Sequence, residues 1–352
     1  MYLPMCCRVF EKLLVWIFVF ALAIGGVNAQ NKDSIRNVYI ERFPDYFFVW
    51  PLIKQRTNQF EIQQESNASN KLTYKPNNSV GLGFGLYVFE VGAEITFSVP
   101  IGAERESLLG KTTATDLQLN LLGKNWGLDL FYQNYRGFYV TDPNQNILRG
   151  MPFPQRPDAR TNNFGINGLY AFNKKFSLRS AYNFSERQRK SAGSFLLTGT
   201  INFFDVALDS AVYGSKYYAT LGANTAFEQL QMNTASVSPG YSHTFVYKAF
   251  FLNTSLSIGP AVHWVDYAVD LRARSAIVVN SFLDLRIGIG YNGKRFFSGV
   301  NFVGQARSAK FDGIQFINSS NTFKIVVGYR FNEVGFLKRK ASDLLPIIGI
   351  HK

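Results

Sequence analysis

The sequence predicts an all-β protein: an antiparallel transmembrane β-barrel of roughly 12 to 14 strands behind a cleaved N-terminal signal peptide. Three observations predict it. Apolar residues recur at every second position over many short segments, the face opposite them holds glycine, asparagine and serine, and an export signal stands at the N-terminus. A mean hydropathy of −0.04 despite 33 Phe and 18 Tyr shows that the apolar residues are interleaved and not gathered into the long blocks of a helical membrane bundle. With 47% hydrophobic and 17% charged residues, the chain is neither disordered nor a charged coiled coil.

Arg8 and Lys12 precede the apolar stretch 13–27, which runs into Val27-Asn28-Ala29, a small-residue cleavage pattern. Residues 1–29 therefore read as a signal peptide for the general secretory pathway, and a retained anchor helix is the alternative. Cys6 and Cys7 both lie before the apolar core, so no lipid-attachment cysteine follows it. The remaining 323 residues (352 less 29) hold no thiol for a disulfide or a metal. Losing Arg8, Glu11 and Lys12 lowers the net charge from +13 to +12. In an exported protein this basic excess points to outer-membrane lipid and lipopolysaccharide as neighbours, and not to nucleic acid; solvated loop charge is the competing reading.

Residues 30–45 are expected to form a periplasmic segment, 46–331 the barrel and 332–352 a tail. Leu82, Phe84 and Leu86 alternate with Gly81, Gly83 and Gly85; Leu117, Leu119 and Leu121 alternate with Asp116, Gln118 and Asn120. Trp126, Leu128, Leu130 and Tyr132 oppose Gly127, Asp129 and Gln133, while Phe176, Leu178, Tyr182 and Phe184 oppose Ser177, Arg179, Asn183 and Ser185. Leu252, Leu256 and Ile258 oppose Asn253, Ser255 and Ser257; Leu283, Leu285, Ile287 and Ile289 oppose Asp284, Arg286 and Gly288; Phe323, Ile325, Val327, Tyr329 and Phe331 oppose Lys324, Gly328 and Arg330. Strands of about ten residues suffice to cross an outer membrane at a steep tilt.

A soluble sandwich also alternates, but its polar face is rich in Lys, Glu and Thr. Here that face is Gly, Asn and Ser, which suits a confined lumen, and closure into a barrel satisfies every backbone group within hydrocarbon. Trp126, Tyr135, Phe138, Tyr139, Tyr170, Trp264 and Tyr267 read as aromatic girdles. Tight turns are expected at 123–125, 173–175, 247–249 and 292–294, and longer loops at 99–113, 138–160, 265–275 and 306–321. Parity fails around 186–232, and one further strand at 216–221 would restore it. The tail mixes apolar residues with Lys338, Arg339 and Lys340, as a basic segment on a membrane surface or a solvated terminus would.

Chemistry is sparse. His243 shares parity with outward Tyr241 and Phe245, whereas His263 shares parity with Ser255 and Ser257, sits at an expected strand end and is the better acid/base candidate. Neither rises above an ordinary packing residue. No metal-ligand spacing or phosphate-cradling loop occurs, so no cofactor, no metal and no catalytic residue is expected, and the protein reads as a non-enzyme. The candidate site is instead a set of inward, lumen-lining charges: Asp116, Asp129, Arg179, Asp284, Arg286, Lys324 and Arg330. Mixed signs in a lumen imply a water-filled constriction or a packed network of ion pairs. Inward glycine and aromatic residues favour a narrow or plugged lumen.

At 39–45 (Tyr-Ile-Glu-Arg-Phe-Pro-Asp), at 127–132 running to Arg136-Gly137-Phe138-Tyr139, at Arg156-Pro157-Asp158, at 185–188 and 190–195, and at Gly328-Tyr329-Arg330-Phe331, the sequence resembles a family of Bacteroidetes outer-membrane proteins catalogued as a domain of unknown function. The resemblance covers about 39–331. It implies an outer-membrane barrel and brings no functional residue with it. The family typically ends near its Tyr-Arg-Phe, whereas this chain continues for 21 residues past Phe331, which bears on whether Tyr329 and Phe331 are read as a terminal signal by the barrel-assembly machinery.

The sequence thus points to the cell outer membrane and to a narrow or gated conduit for small solutes, with the inward charges setting selectivity. The alternatives are a closed barrel whose surface loops 138–160 and 205–232 bind a partner, and a lipid-modifying enzyme using His263.

Overall fold

A computed structural model describes residues 34–88, 91–270 and 272–334; the signal peptide expected over 1–29 and nearly all of the tail lie outside them. Among the described residues the chain runs α1 (Ser34–Tyr39), β1 (Ile40–Arg42), β2 (Tyr46–Gln64), β3 (Lys71–Lys75), β4 (Gly81–Val88), β5 (Val91–Ser98), α2 (Ala103–Leu109), β6 (Thr113–Leu122), β7 (Trp126–Thr141) and β8 (Gln155–Ala171). There follow α3 (Arg179–Tyr182), β9 (Glu186–Gln188), β10 (Ala192–Ala207), α4 (Tyr218–Leu221), β11 (Gln229–Tyr247), β12 (Phe250–Val269), β13 (Arg272–Asn292), β14 (Phe296–Phe311) and β15 (Ile314–Asn332). No helix among the described residues is long and apolar enough to cross a membrane.

The fold is all-β, with thirteen strands in one antiparallel sheet. Ten of them (β2, β3, β7, β8 and β10 to β15) close into a ring through the β15–β2 pairing, in which Phe331 faces Phe47 and Ile314 faces Gln64. The expected parity holds on these strands. On β12 the odd positions Asn253, Ser255, Ser257 and His263 are buried, while Leu252, Leu256, Ile258 and Trp264 are exposed. Apolar outside and polar inside inverts a soluble core and is what an apolar surrounding selects. The outward apolar belt runs Phe323 to Phe331 on β15, Phe195 to Phe203 on β10 and Val49 to Ile53 on β2. Past it the outward positions turn polar, as at Asp205, Asp266 and Asn134.

The strands continue beyond the belt, reaching 20 residues in β12 and 21 in β13, about twice the length expected. Once outward residues turn polar the apolar alternation fades, but the backbone ladder does not. The loops expected at 265–275 and 306–321 are therefore tight turns, through Asp270 (φ 47°) and through Asp312 (φ 45°) with Gly313 (φ 81°). The loop expected over 138–160 shrinks to 142–154, and that over 99–113 contains α2.

Three further expectations are corrected. The alternation at 176–184 is not a strand: the chain turns into the barrel there, forms one turn of helix, and buries Phe176, Leu178, Ala181 and Phe184. Removing that strand restores the parity that an added strand at 216–221 was meant to supply, and 215–221 is a 3-10 turn followed by α4. Tyr135, Phe138 and Tyr267, expected in the girdles, point inward and are buried, whereas Tyr170 and Trp264 face out. Inward Gly85 leaves no open space, since the Trp50 indole fills the place a side chain would take.

Within the belt the wall differs from the closed ring. β4 pairs with the lower half of β2, β5 with β4, and β6 with the lower half of β7, while β3 bridges β2 and β7 only above them. The belt is thus walled by twelve strands (β2, β4 to β8 and β10 to β15), and no β5–β6 pairing joins the two edges among the described residues.

Candidate functional site

The candidate site is the lumen, which falls into three tiers. At the loop end the segment 208–228 folds down into the barrel. Its Leu208, Val212, Tyr213, Leu221 and Phe227 pack on inward Phe60, Tyr74, Phe138, Phe204 and Phe316 to make an apolar plug. Arg156, paired with Asp158, holds this segment by donating to the carbonyls of Ser210, Ala211 and Val212. Burial among these rings raises the Tyr213 phenol to about 12. At the turn end a second apolar cluster of Phe43, Phe48, Trp50, Ala181, Phe184, Phe251 and Phe297 fills the mouth.

The turn-end plug is tied to the wall by directional bonds. Asn292 donates to the carbonyls of Ser180 and Glu186, Asn301 to that of Ala181, and Tyr182 to Asn253. Glu186, almost wholly buried, accepts from Arg36 at 2.8 Å and from Ser177 at 2.6 Å, while β9 pairs with β1. The N-terminal segment and the plug therefore close the mouth together.

Between the plugs lies a polar tier whose side chains meet across the barrel. Arg286 on β13 donates to Asp284 at 2.8 Å and, across the lumen, to Asp129 on β7 at 2.9 Å. Gln305 donates to Asp284 at 2.7 Å and accepts from Asn167 on the far wall at 3.1 Å. Gln133 accepts from Asn58, Asn163 and Ser320, and Asp116 accepts from Gln133, Tyr135 and Arg56. Nearer the β5 edge, Glu94 accepts from Lys324 at 2.8 Å and from Trp50 at 3.2 Å, with Lys54 3.9 Å away. Of the two interiors that mixed charges allow, this is the packed network.

The seven expected lumen charges thus separate into groups. Asp129, Asp284 and Arg286 come together; Asp116 joins Arg56, and Lys324 joins Glu94. Arg179 is on α3 within the turn-end plug, not on a barrel strand, and donates to the carbonyl of Leu122 at 2.7 Å. Arg330 points inward but lines no passage. It donates to the carbonyls of Gly293 and Phe184 and to Asn292, with its guanidinium 3.9 Å from the Phe43 ring centre. Sequence reasoning missed Lys54, Arg56, Glu94, Arg307 and Gln305. Lys54 and Arg56 share parity with Phe48, Trp50 and Leu52, a signal that was present, whereas Gln305 and Arg307 adjoin or lie in the stretch expected to be a loop.

His263 is fully buried inside the lumen, with Nδ1 2.9 Å from the Thr234 hydroxyl, and faces away from lipid. His243 faces outward, its ring 4.4 Å from that of Phe245. No group of residues able to hold a metal occurs among the described residues. Above the plug, at the loop end, an open hollow of about 180 Å³ is lined by Tyr74, Tyr213, Tyr217, Asp142, Gln145 and Lys216, among others.

Over residues 31–331 the chain matches the model of a family described as a domain of unknown function, DUF4421. The chain belongs to that family. Among solved structures it is similar to the outer membrane protease OmpT from Escherichia coli (8% identity, TM-score 0.39, covering 83% of this chain and 98% of that one). It is also similar to the translocator domain of the autotransporter NalP from Neisseria meningitidis (8% identity, TM-score 0.32, 92% and 98% covered) and to the attachment invasion locus protein Ail of Yersinia pestis (9% identity, TM-score 0.19, 82% and 99% covered). These likenesses carry no argument about function. A search of curated proteins finds no match.

Proposed function

We propose that this DUF4421 protein is an outer-membrane barrel that is closed to flow along its axis and acts at its outer mouth as a binding protein, without a catalytic step. The observation that carries this is the filled lumen: an apolar plug at each end and, between them, a polar tier bonded from wall to wall. The belt of outward Phe, Leu, Ile and Val supports contact with outer-membrane lipid, and the long loops would then meet lipopolysaccharide. Tyr329 and Phe331, outward on the last strand, are suited to reading by the barrel-assembly machinery.

The loop-end cavity gives the binding reading its chemistry. Tyr217 is the half-buried tyrosine whose ring reaches its surface, Tyr74 and Tyr213 being buried beneath, and Asp142, Gln145 and Lys216 bring polar groups to its rim, an arrangement suited to a sugar ring stacked on Tyr217. The test is retention of purified lipopolysaccharide and capsular polysaccharide by the immobilised, folded barrel. Retention that falls at least tenfold in Tyr217→Ala supports the reading, and equal retention by both proteins overturns it.

A second reading, a conduit gated by movement of both plugs, is favoured by the charged middle tier, where Asp129, Asp284 and Arg286 would set selectivity once the plugs withdrew. The lipid-modifying reading finds less support, because His263 is fully buried in the lumen behind the wall.

A further inference from the structure

Among the described residues the β5–β6 junction is unpaired, and it spans the apolar belt. Outward residues on both sides of it are apolar and exposed: Phe84, Ile95 and Phe97 on one side, Leu117 on the other. Residues of the same two strands that face the lumen are polar, and Thr96, Ser98 and Asn120 are exposed, although inward residues at similar depth on the far wall, such as Ser255, Ser257 and Thr198, are buried. The polar interior therefore reaches the surface of the belt through the seam. Immediately behind it stand Lys54, Arg56, Glu94, Asp116 and Lys324, whose side chains keep 9 to 19% of their exposure, against 7% and 3% for Arg286 and Asp284 deeper in the lumen. Lys54, Arg56 and Lys324 face Glu94 and Asp116, and Asp129, itself bonded to Arg286, stands near Lys54 and Arg56 as well.

Hydrocarbon cannot satisfy two bare strand edges or a row of polar side chains. An occupant that matches both sides of the seam carries apolar chains outside and an anionic group within. We propose that the β5–β6 seam is a lateral portal that takes an acyl-chain amphiphile from the membrane. Its anionic headgroup is held by Lys54, Arg56 and Lys324, and its chain lies in the belt between Phe97 and Leu117. A carboxylate and a phosphate headgroup share this chemistry. The inference rests on the membrane placement proposed above and is independent of the plugs.

The experiment reconstitutes the full chain into vesicles of phosphatidylcholine doped with either phosphatidylglycerol or palmitate, extracts it into mild detergent and weighs the intact complex by native mass spectrometry. Heat-dependent gel migration confirms that each protein is folded and inserted. One phosphatidylglycerol or one palmitate retained per barrel, in preference to phosphatidylcholine, is expected, and which of the two is retained names the headgroup. Thr96→Trp, at an exposed position that narrows the seam, should lower retention at least tenfold, as should Lys54→Gln with Lys324→Gln. An inserted barrel that retains neither probe, or retains phosphatidylcholine equally, overturns the portal while leaving the proposed function standing. A dimer mass without lipid also overturns it, by showing the seam covered by a second copy.

Discussion

Asp284 is 2% exposed and accepts from both Arg286 and Gln305, so its removal leaves a buried guanidinium short of half its charge partners. Asp284→Ala should therefore destabilise the barrel by about 3 to 5 kcal/mol, measured by denaturant unfolding in micelles. Asp158 makes the contrast, since it sits on the part of β8 that stands clear of the belt and its pair with Arg156 is only partly buried, the two side chains keeping 18 and 19% of their exposure. Asp158→Asn should cost less than about 1 kcal/mol. The Arg156 guanidinium holds the Asp158 carboxyl down at about 2. Because the folded-state value is depressed, this contribution is complete above the unfolded carboxylate range near about 4 and is lost as pH falls from there through about 2. Pepsin cleavage within 208–228 should rise across that window in the wild type and not in Asp158→Asn. Parity alone made Asp129, Asp284 and Arg286 legible as inward residues. Their meeting was not legible, because β7 and β13 do not pair and nothing local fixes which of their residues face each other across a lumen.

At the scale of elements, the turn-end plug depends on Arg330, which ties Phe184 and Phe43 to the ends of β13 and β15. Phe184 adopts φ 57°, a left-handed conformation that a bulky residue holds only when its surroundings enforce it. Arg330→Gln should loosen the plug while the wall stays paired, raising tryptic cleavage at Arg189 and Lys190 at least tenfold with heat-dependent gel migration unchanged; unchanged cleavage would mean the plug is held elsewhere. This element shows where pattern reading fails. Phe176, Leu178, Tyr182 and Phe184 do alternate, but Ser177, Ser180 and Ala181 between them are buried as well, so period two here reflects a turn and one helical turn enclosed on every side. The strand extensions of β12 to β15 fail in the opposite direction: they are paired backbone whose outward side chains no longer report an apolar surround.

For the whole molecule, the alternation and the small polar inner face were enough to give an antiparallel barrel, because belt chemistry acts on every strand alike, but not its make-up: ten strands close the ring where 12 to 14 were expected, and three more pair outside it. The ten-strand ring above a twelve-strand belt was beyond reach, since β3 and the β5–β6 seam depend on pairings far apart in the chain. The belt itself has a direct check. Leu256→Arg, near the middle of the outward run on β12, should cost about 2 to 4 kcal/mol in bilayers, whereas Gln59→Arg, outward on β2 beyond the belt, should cost no more than about 1. Equal costs would place the belt wrongly. The filled lumen is the central feature of the molecule, and single-channel current through the purified, inserted protein in a planar bilayer tests it. The wild type should be silent, deletion of either 210–225 or 174–190 alone should remain silent, and deletion of both should leave only the polar tier and give small, cation- or anion-selective steps. Reproducible steps from the wild type would contradict the account and return the protein to the class of conduits.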